Sequence, residues 1–217
     1  MADDSVEEER KIKVTAVGDC GVGKTCLLMT YATNKFPDSD VPGLYECSQT
    51  VKAGRSTSFE VPVEMQFNGC KYSIGLTDTI GSDEYRRIRE LFTVGTDIFL
   101  VCFSVTEPDT LNNVKQNWLS EIKILAPKAT FVLVGTKTDL REDENVKQKL
   151  KEKDQKVISI QEGIKCAKTF GAKTYVECSA LNQIGLKEVF ETVVMVTSPE
   201  TSTPRKSGSN GGPCVVS

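Results

Sequence analysis

The stretch Gly18-Asp19-Cys20-Gly21-Val22-Gly23-Lys24-Thr25 constrains this chain more than any other. It fits G-x-x-x-x-G-K-[ST] and sits between an apolar, β-branched run (Ile12, Val14, Ala16, Val17) and an apolar helix-like run (Cys26, Leu27, Leu28, Met29). Strand, glycine-rich loop and helix in that order let consecutive backbone N–H groups point at phosphate oxygens, and the helix N-terminus adds positive potential. Lys24 is placed to neutralise β and γ phosphates, and the Thr25 hydroxyl to hold Mg²⁺. A bare glycine turn would not need the Lys-Thr pair. The stretch predicts a site for a nucleoside phosphate.

Composition narrows the setting. A chain of 217 residues suits one α/β domain with tails, and a net charge of −3 carries no nucleic-acid footprint. Eight cysteines are scattered without C-x-x-C pairs, and there is no histidine to complete a zinc site or a Ser-His or Cys-His nucleophile. No signal peptide opens the chain, so the cysteines read as reduced, mostly buried thiols of a cytoplasmic protein. No apolar run approaches the ~18 residues that a membrane span needs.

Taken in order, residues 1–10 are acidic and read as disordered. Strand one is expected at Ile12–Val17 and helix one from Lys24 to Thr33. Residues 34–58 hold Pro37, Pro42, Gly43 and Gly54 and read as an irregular crossing. Apolar-alternating runs flank Asn68-Gly69, a hairpin signal joining Phe59–Phe67 to Lys71–Thr77. A helix over Tyr85–Phe92, a buried strand at Ile98–Phe103, a helix opened by Glu107-Pro108-Asp109 and a strand at Phe131–Val134 follow. The charged stretch 141–156, with Val146 and Leu150 at i,i+4, suits a surface helix. A helix at Gln161–Phe170, a strand at Tyr175–Glu177 and a helix at Leu186–Val196 close a domain spanning 11–197. Alternating strands and helices imply an α/β fold of the P-loop NTPase class. The expected sheet is mainly parallel and six-stranded with helices on both faces, and ligand sits at the carboxyl ends of its strands.

Thr136-Lys137-Thr138-Asp139 follows a strand ending at Val134-Gly135 and matches [NT]-K-x-D. A carboxylate at Asp139 can accept two hydrogen bonds from guanine N1–H and its 2-amino group, a pair adenine does not offer. Lys137 lays its aliphatic stem along the base plane. Ser179-Ala180-Leu181 supplies a backbone N–H near Ala180 for the guanine carbonyl. An ATP-using kinase is disfavoured by Asp139 and by the absence of an arginine-rich lid segment.

With these three elements in order, the chain resembles the Ras superfamily and, within it, the Rho/Rac subfamily, over about residues 11–196. The charged insert from Leu140 to Lys153, Thr136 in place of Asn, and Glu177-Cys178-Ser179-Ala180-Leu181 carry the subfamily resemblance. It implies a Ras-like G domain with a Rho-type insert helix near 141–156, binding GTP or GDP with Mg²⁺ as a signalling switch, with actin control as the suggested setting. The loop Gly18–Thr25, Cys26, Phe36, Asp78, Gly81, Thr136, Lys137, Asp139, Ser179, Ala180 and Leu181 are then the nucleotide contacts. Phe36 sets an aromatic edge against the base, Thr25 and (one shell out) Asp78 serve the metal, and Lys24, Gly81 and Ser82 are the catalytic positions. Trp118 and Phe190 read as core residues without a functional role.

The reaction centre departs from the family pattern in three places. Cys20 stands where the loop has a second glycine, projecting toward the space of the attacking water and an incoming arginine finger. Val41-Pro42-Gly43-Leu44-Tyr45-Glu46 aligns with V-P-T-V-F-D, which puts Gly43 at the position of the metal-binding Thr. Asp78-Thr79-Ile80-Gly81-Ser82 aligns with D-T-A-G-Q, which puts Ser82 at the water-orienting Gln. Rnd-like Rho proteins carry Ser there and are regarded as GTPase-deficient, so Ser82 is read as inactive. Losing the finger-assisted route alone forfeits on the order of 10³–10⁵ in rate. Two readings stay open: a switch that hydrolyses GTP slowly, and a binder held GTP-bound or insensitive to nucleotide. The segment Cys47–Pro62 is also about a dozen residues longer than the Rac pattern, a length that marks either a partner surface or a passive loop.

Cys214-Val215-Val216-Ser217 fits C-a-a-X at the end of a Ser/Thr/Pro/Gly-rich tail from Ser198, and a terminal Ser favours farnesyl. With only Arg205 and Lys206 nearby, one chain holds a membrane weakly and reversibly. The resemblance implies effectors docking on 36–46 and 78–92, an exchange factor and a Rho-type dissociation inhibitor. A monomer is expected, moving between cytosol and the inner face of the plasma membrane or endomembranes.

Overall fold

A computed structural model describes residues 10–37 and 60–198 of the chain. Six strands form one sheet: β1 (Arg10–Val17), β2 (Glu60–Phe67), β3 (Cys70–Thr77), β4 (Ile98–Ser104), β5 (Thr130–Thr136) and β6 (Tyr175–Glu177). Their order is β2-β3-β1-β4-β5-β6, with β2 antiparallel to β3 and every other pair parallel. The mainly parallel α/β sheet is as expected. The bounds of β1, β3, β4 and β5 extend the sequence reading by a residue or two, because backbone pairing continues past the last apolar side chain, while β6 matches it.

Asn68 and Gly69 join β2 to β3, and both have left-handed backbone angles (φ 49° and 79°), the signature of a primed two-residue turn. Register runs from Phe67↔Cys70 at the turn to Glu60↔Thr77. The long segment assigned from Cys47 to Pro62 therefore ends earlier, since 60–62 are already paired in the sheet. Pro62 is tolerated because, among the described residues, β2 pairs only with β3.

Every residue of β4 is buried, as a central parallel strand covered on both faces requires. Ile98, Leu100 and Cys102 join one core with Val14, Leu76, Val132 and Phe190. Phe99, Val101 and Phe103 join the other with Leu111, Val114, Trp118 and Ile122. The first core is covered by α1 (Lys24–Thr33) and the C-terminal helix Leu186–Thr197, where Tyr31 stacks on Phe190 with ring centroids 3.6 Å apart.

The chain leaves β3 through a 3₁₀ turn (Asp83–Tyr85) into α2 (Arg86–Thr93), so the helix expected from Tyr85 begins one residue later. Over the second core run α3 (Pro108–Asn113), a π-helical turn (Val114–Trp118) and α4 (Leu119–Leu125), with Leu119 N–H donating to Val114 O. Within the charged stretch, α5 (Glu144–Glu152) is shorter than 141–156, capped by Asp143 accepting from Val146 N–H and burying Leu150. The remaining helices are α6 (Ile160–Phe170) and α7 (Leu186–Thr197).

Because β1 lies between β3 and β4, the chain passes over β1 on its way from β3 to β4. The strand order reverses there, and the crevice this opens at the carboxyl ends is where the loop after β1 emerges.

Candidate nucleotide site

The loop after β1 is held from below. Gly18 (φ +142°) lies so close to β4 that a Cβ would sit 2.2 Å from the Cys102 carbonyl oxygen. Lys24 is only 5% exposed and donates from Nζ to the loop's own carbonyls, Gly18 O at 2.7 Å and Asp19 O at 2.8 Å. Burial lowers its pKa, against the opposing pull of Asp78 and other nearby groups. Thr25 Oγ1 donates to Asp78 Oδ2 at 2.5 Å, and Thr79 N–H donates to Asp78 Oδ1 at 3.0 Å. Burial pushes the Asp78 carboxyl upward, outweighing the lowering from Thr25 and Lys24. A buried ammonium, a hydroxyl and a carboxylate converging on one loop fit a magnesium–phosphate group, hard oxygen donors beside a fixed positive charge.

On one side of the loop lies a cavity of about 260 Å³ bordered by Gly21, Gly23, Cys26, Phe36, Thr136, Lys137, Asp139, Ala180 and Leu181. Residues from four separate stretches of sequence meet there. Thr136 Oγ1 is within hydrogen-bond reach of the Val22 carbonyl and, at 2.9 Å, of the Phe103 carbonyl, tying loop to sheet. Ser179 Oγ donates to Asp139 Oδ1 at 2.6 Å and accepts from Asn182 N–H at 3.0 Å. Ser179 thus orients the Asp139 carboxylate instead of lining the cavity. Lys137 adopts a left-handed backbone (φ 59°) and its ammonium pairs with Glu107 at 2.8 Å.

On the other side, Asp19, Cys20, Gly81, Ser82, Asp83, Asn117 and Glu121 are among the residues lining an open cleft of about 360 Å³. Gly81 presses on the loop; a Cβ there would lie 2.4 Å from Cys20 N and from the Asp19 carbonyl carbon. Cys20 is exposed, which corrects the expectation of mostly buried thiols. Among the six described cysteines only Cys102 and Cys178 are buried, because a side chain on the crest of a phosphate loop has nothing packed over it. Burial pushes the Cys102 thiol up to about 12 and raises that of Cys178 as well.

Trp118 is in the core as expected, 3% exposed, and it also reaches the phosphate loop. Its indole Nε1 donates to Asp19 Oδ1 at 2.7 Å. Asn113 Nδ2 donates to Asp19 Oδ2, also at 2.7 Å. Arg89 lies over the same indole, 4.7 Å from the ring centroid. Its Nη1 donates to Ile80 O (2.8 Å) and Ser82 O (2.6 Å), while Nε and Nη2 engage both oxygens of Glu121 (2.7 and 2.8 Å). Sequence reasoning missed Asn113, Arg89 and Glu121. An arginine in a helix reads as solvated unless its distant partner is known.

Gly43 with the 41–46 run, the 47–59 segment, the acidic residues 1–9 and the tail with Arg205, Lys206 and Cys214 lie outside the described residues. The family model of the Ras family matches residues 13–198. That span takes in the loop of Lys24 and Thr25, the cavity around Asp139 and the whole sheet from Lys13 onward. The chain belongs to the Ras family and is a small GTP-binding protein built on a Ras-like G domain.

Proposed function

We propose that the chain is a Rho-like guanine-nucleotide switch whose own GTP hydrolysis is strongly slowed. The observation that carries this reading is the cleft beside the phosphate loop, which Cys20 and Ser82 both line and where, among the described residues, no glutamine is part of the lining. A serine hydroxyl is too short to bridge from the 80–82 backbone to a water in line with a phosphate, and the Cys20 thiol takes up room beside it. Gly18–Cys26, Phe36, Thr136, Lys137, Asp139, Ala180 and Leu181 would hold the nucleotide. Asp139, oriented by Ser179, selects guanine. Thr25 and Asp78 would hold magnesium, which when bound neutralises charge on the phosphates. Lys24 lends its charge to the same oxygens, and Gly81 offers a backbone N–H at the loop.

Single-turnover GTP hydrolysis tests the reading. Wild type is expected to be nearly inert, and Ser82→Gln with Cys20→Gly to gain at least tenfold. A wild type that turns over like an ordinary small GTPase overturns the slow-hydrolysis part.

The second reading, a binder insensitive to nucleotide, draws on Gly43, which removes a ligand that clamps this segment only in the triphosphate state. It predicts equal effector affinity in the GDP and GTP forms. The outward reading completes the picture: Cys214 carries a prenyl group, effectors dock on 36–46 and 78–92, and exchange factor and dissociation inhibitor regulate loading and membrane exchange. Retention on membranes through a high-salt wash would contradict the weak, reversible anchor.

A further inference from the structure

Between Pro108 and Leu125 the helix changes pitch at Val114–Trp118, and the residues at the two ends of that wide turn grip one carboxylate. In an α-helix, positions i and i+5 point about 140° apart around the axis. A turn closed by an i→i+5 hydrogen bond brings them back to nearly the same side. Here Leu119 N–H donates to Val114 O, the i→i+5 bond. Asn113 and Trp118, five apart, both reach Asp19, one oxygen each, at 2.7 Å. The π turn thus has a physical reason for its place: a regular helix could offer Asp19 one donor but not both.

Asp19 belongs to the phosphate loop, and its carbonyl accepts from Lys24. The indole that holds its carboxylate also lies beneath Arg89. Arg89, 1% exposed, fixes the carbonyls of Ile80 and Ser82 on the opposite wall of the cleft. A continuous set of contacts therefore runs from the 80–82 backbone through Arg89 and Trp118 to Asp19.

We infer that Asn113, Trp118 and Arg89 are positioning residues which fix the phosphate loop and couple its geometry to that of the 80–82 segment. The inference rests on the guanine-nucleotide reading above. A loop held in place before ligand arrives has little ordering entropy left to lose on binding, so loosening the clamp speeds nucleotide release. Any movement of 80–82 with the state of the nucleotide is felt at the indole.

The chain carries a single tryptophan beside five tyrosines, so fluorescence excited on the red edge, beyond tyrosine absorption, reports on Trp118 alone. The full chain is loaded with GDP or with a non-hydrolysable GTP analogue, and indole emission is expected to differ between the two. Release of a fluorescent GDP is then followed for wild type, Asn113→Ala, Trp118→Phe, Asp19→Ala and the Asp19→Ala, Trp118→Phe pair. Trp118→Phe keeps a ring under Arg89 and removes only the N–H donor. Asn113→Ala and Trp118→Phe, which each remove one donor, are expected to release GDP about tenfold faster, the size of one charge-assisted hydrogen bond, and Asp19→Ala, which loses both bonds, faster still. The pair is expected to be no faster than Asp19→Ala alone, because one linkage is lost once. Additive effects, unchanged release from variants with native circular dichroism, or identical emission in the two states would overturn the coupling. A wild type that retains no fluorescent GDP overturns the nucleotide reading and this inference with it; retention with unresponsive variants overturns the inference alone.

Discussion

Asp78 stands beside the Thr25 hydroxyl in a partly buried position, and its carboxyl is displaced upward from the ordinary value of 3.8 by burial. Just above pH 3.8 the folded, ligand-free chain therefore holds a proton that the unfolded chain releases more readily. As pH rises from 3.8 through the raised folded value, the contribution of this group to stability is lost. Asp78→Asn should remove that fall and make the ligand-free protein more stable at neutral pH, while magnesium-dependent nucleotide binding weakens. Urea titrations with and without magnesium–GDP separate the two effects. Gly81 has a steric role of the same scale. An added Cβ overlaps the Asp19–Cys20 backbone, and overpacking costs about 1–3 kcal/mol. Gly81→Ala is expected to push 80–82 off the loop, lowering the affinity for a GTP analogue relative to GDP in competition binding. Lys24, Thr25 and Asp139 were legible because each sits in a short motif whose spacing carries its chemistry. Trp118 and Arg89 were not: their partners Asp19 and Glu121 lie 99 and 32 residues away.

Among the elements, those specified by local chemistry matched the sequence most closely. The Asn68-Gly69 hairpin and α6, which opens on a complete capping box, are examples. In that box Ser159 Oγ accepts from Glu162 N–H, and the Glu162 carboxylate accepts from Ser159 N–H at 2.9 Å. Ser159→Ala should cost about 1–2 kcal/mol of stability, read as a lower urea midpoint at unchanged slope. The π turn could not be read. Leu111, Val114, Trp118 and Ile122 have the spacing of an ordinary amphipathic helix, and all four are buried as that pattern requires. What widens the turn is a carboxylate on another element, and periodicity contains no sign of it. The short α5 shows the converse, where charge alone set the expected bounds too wide.

At the level of the whole molecule, two cores back a single sheet, and the nucleotide crevice opens where the strand order reverses. Both follow from alternating apolar strands and helices, which is why the architecture was readable when individual contacts were not. The phosphate loop also gathers charged groups held away from their ordinary titration by burial, Lys24 and Asp78. Ligand that satisfies both should stabilise the fold by about 4 kcal/mol at a thousand times its dissociation constant. Magnesium–GDP is therefore expected to raise the melting temperature by many degrees, and magnesium–ATP at equal concentration to leave it unchanged. Equal shifts from both would show that Asp139 does not choose the base. The helix across the second core adds a different kind of information. A π turn holds one residue more than the α-helical path it replaces, so the grip on Asp19 is encoded as a length of chain as well as by side-chain identity. Removing a single residue between Val114 and Trp118 would set the two donors four apart, on one face of a regular helix, whereas adding one would set them six apart, about 120° round the axis, and swing Asn113 away from the phosphate loop. Substitution scans of that turn would pass over this dependence, whereas a one-residue insertion would expose it.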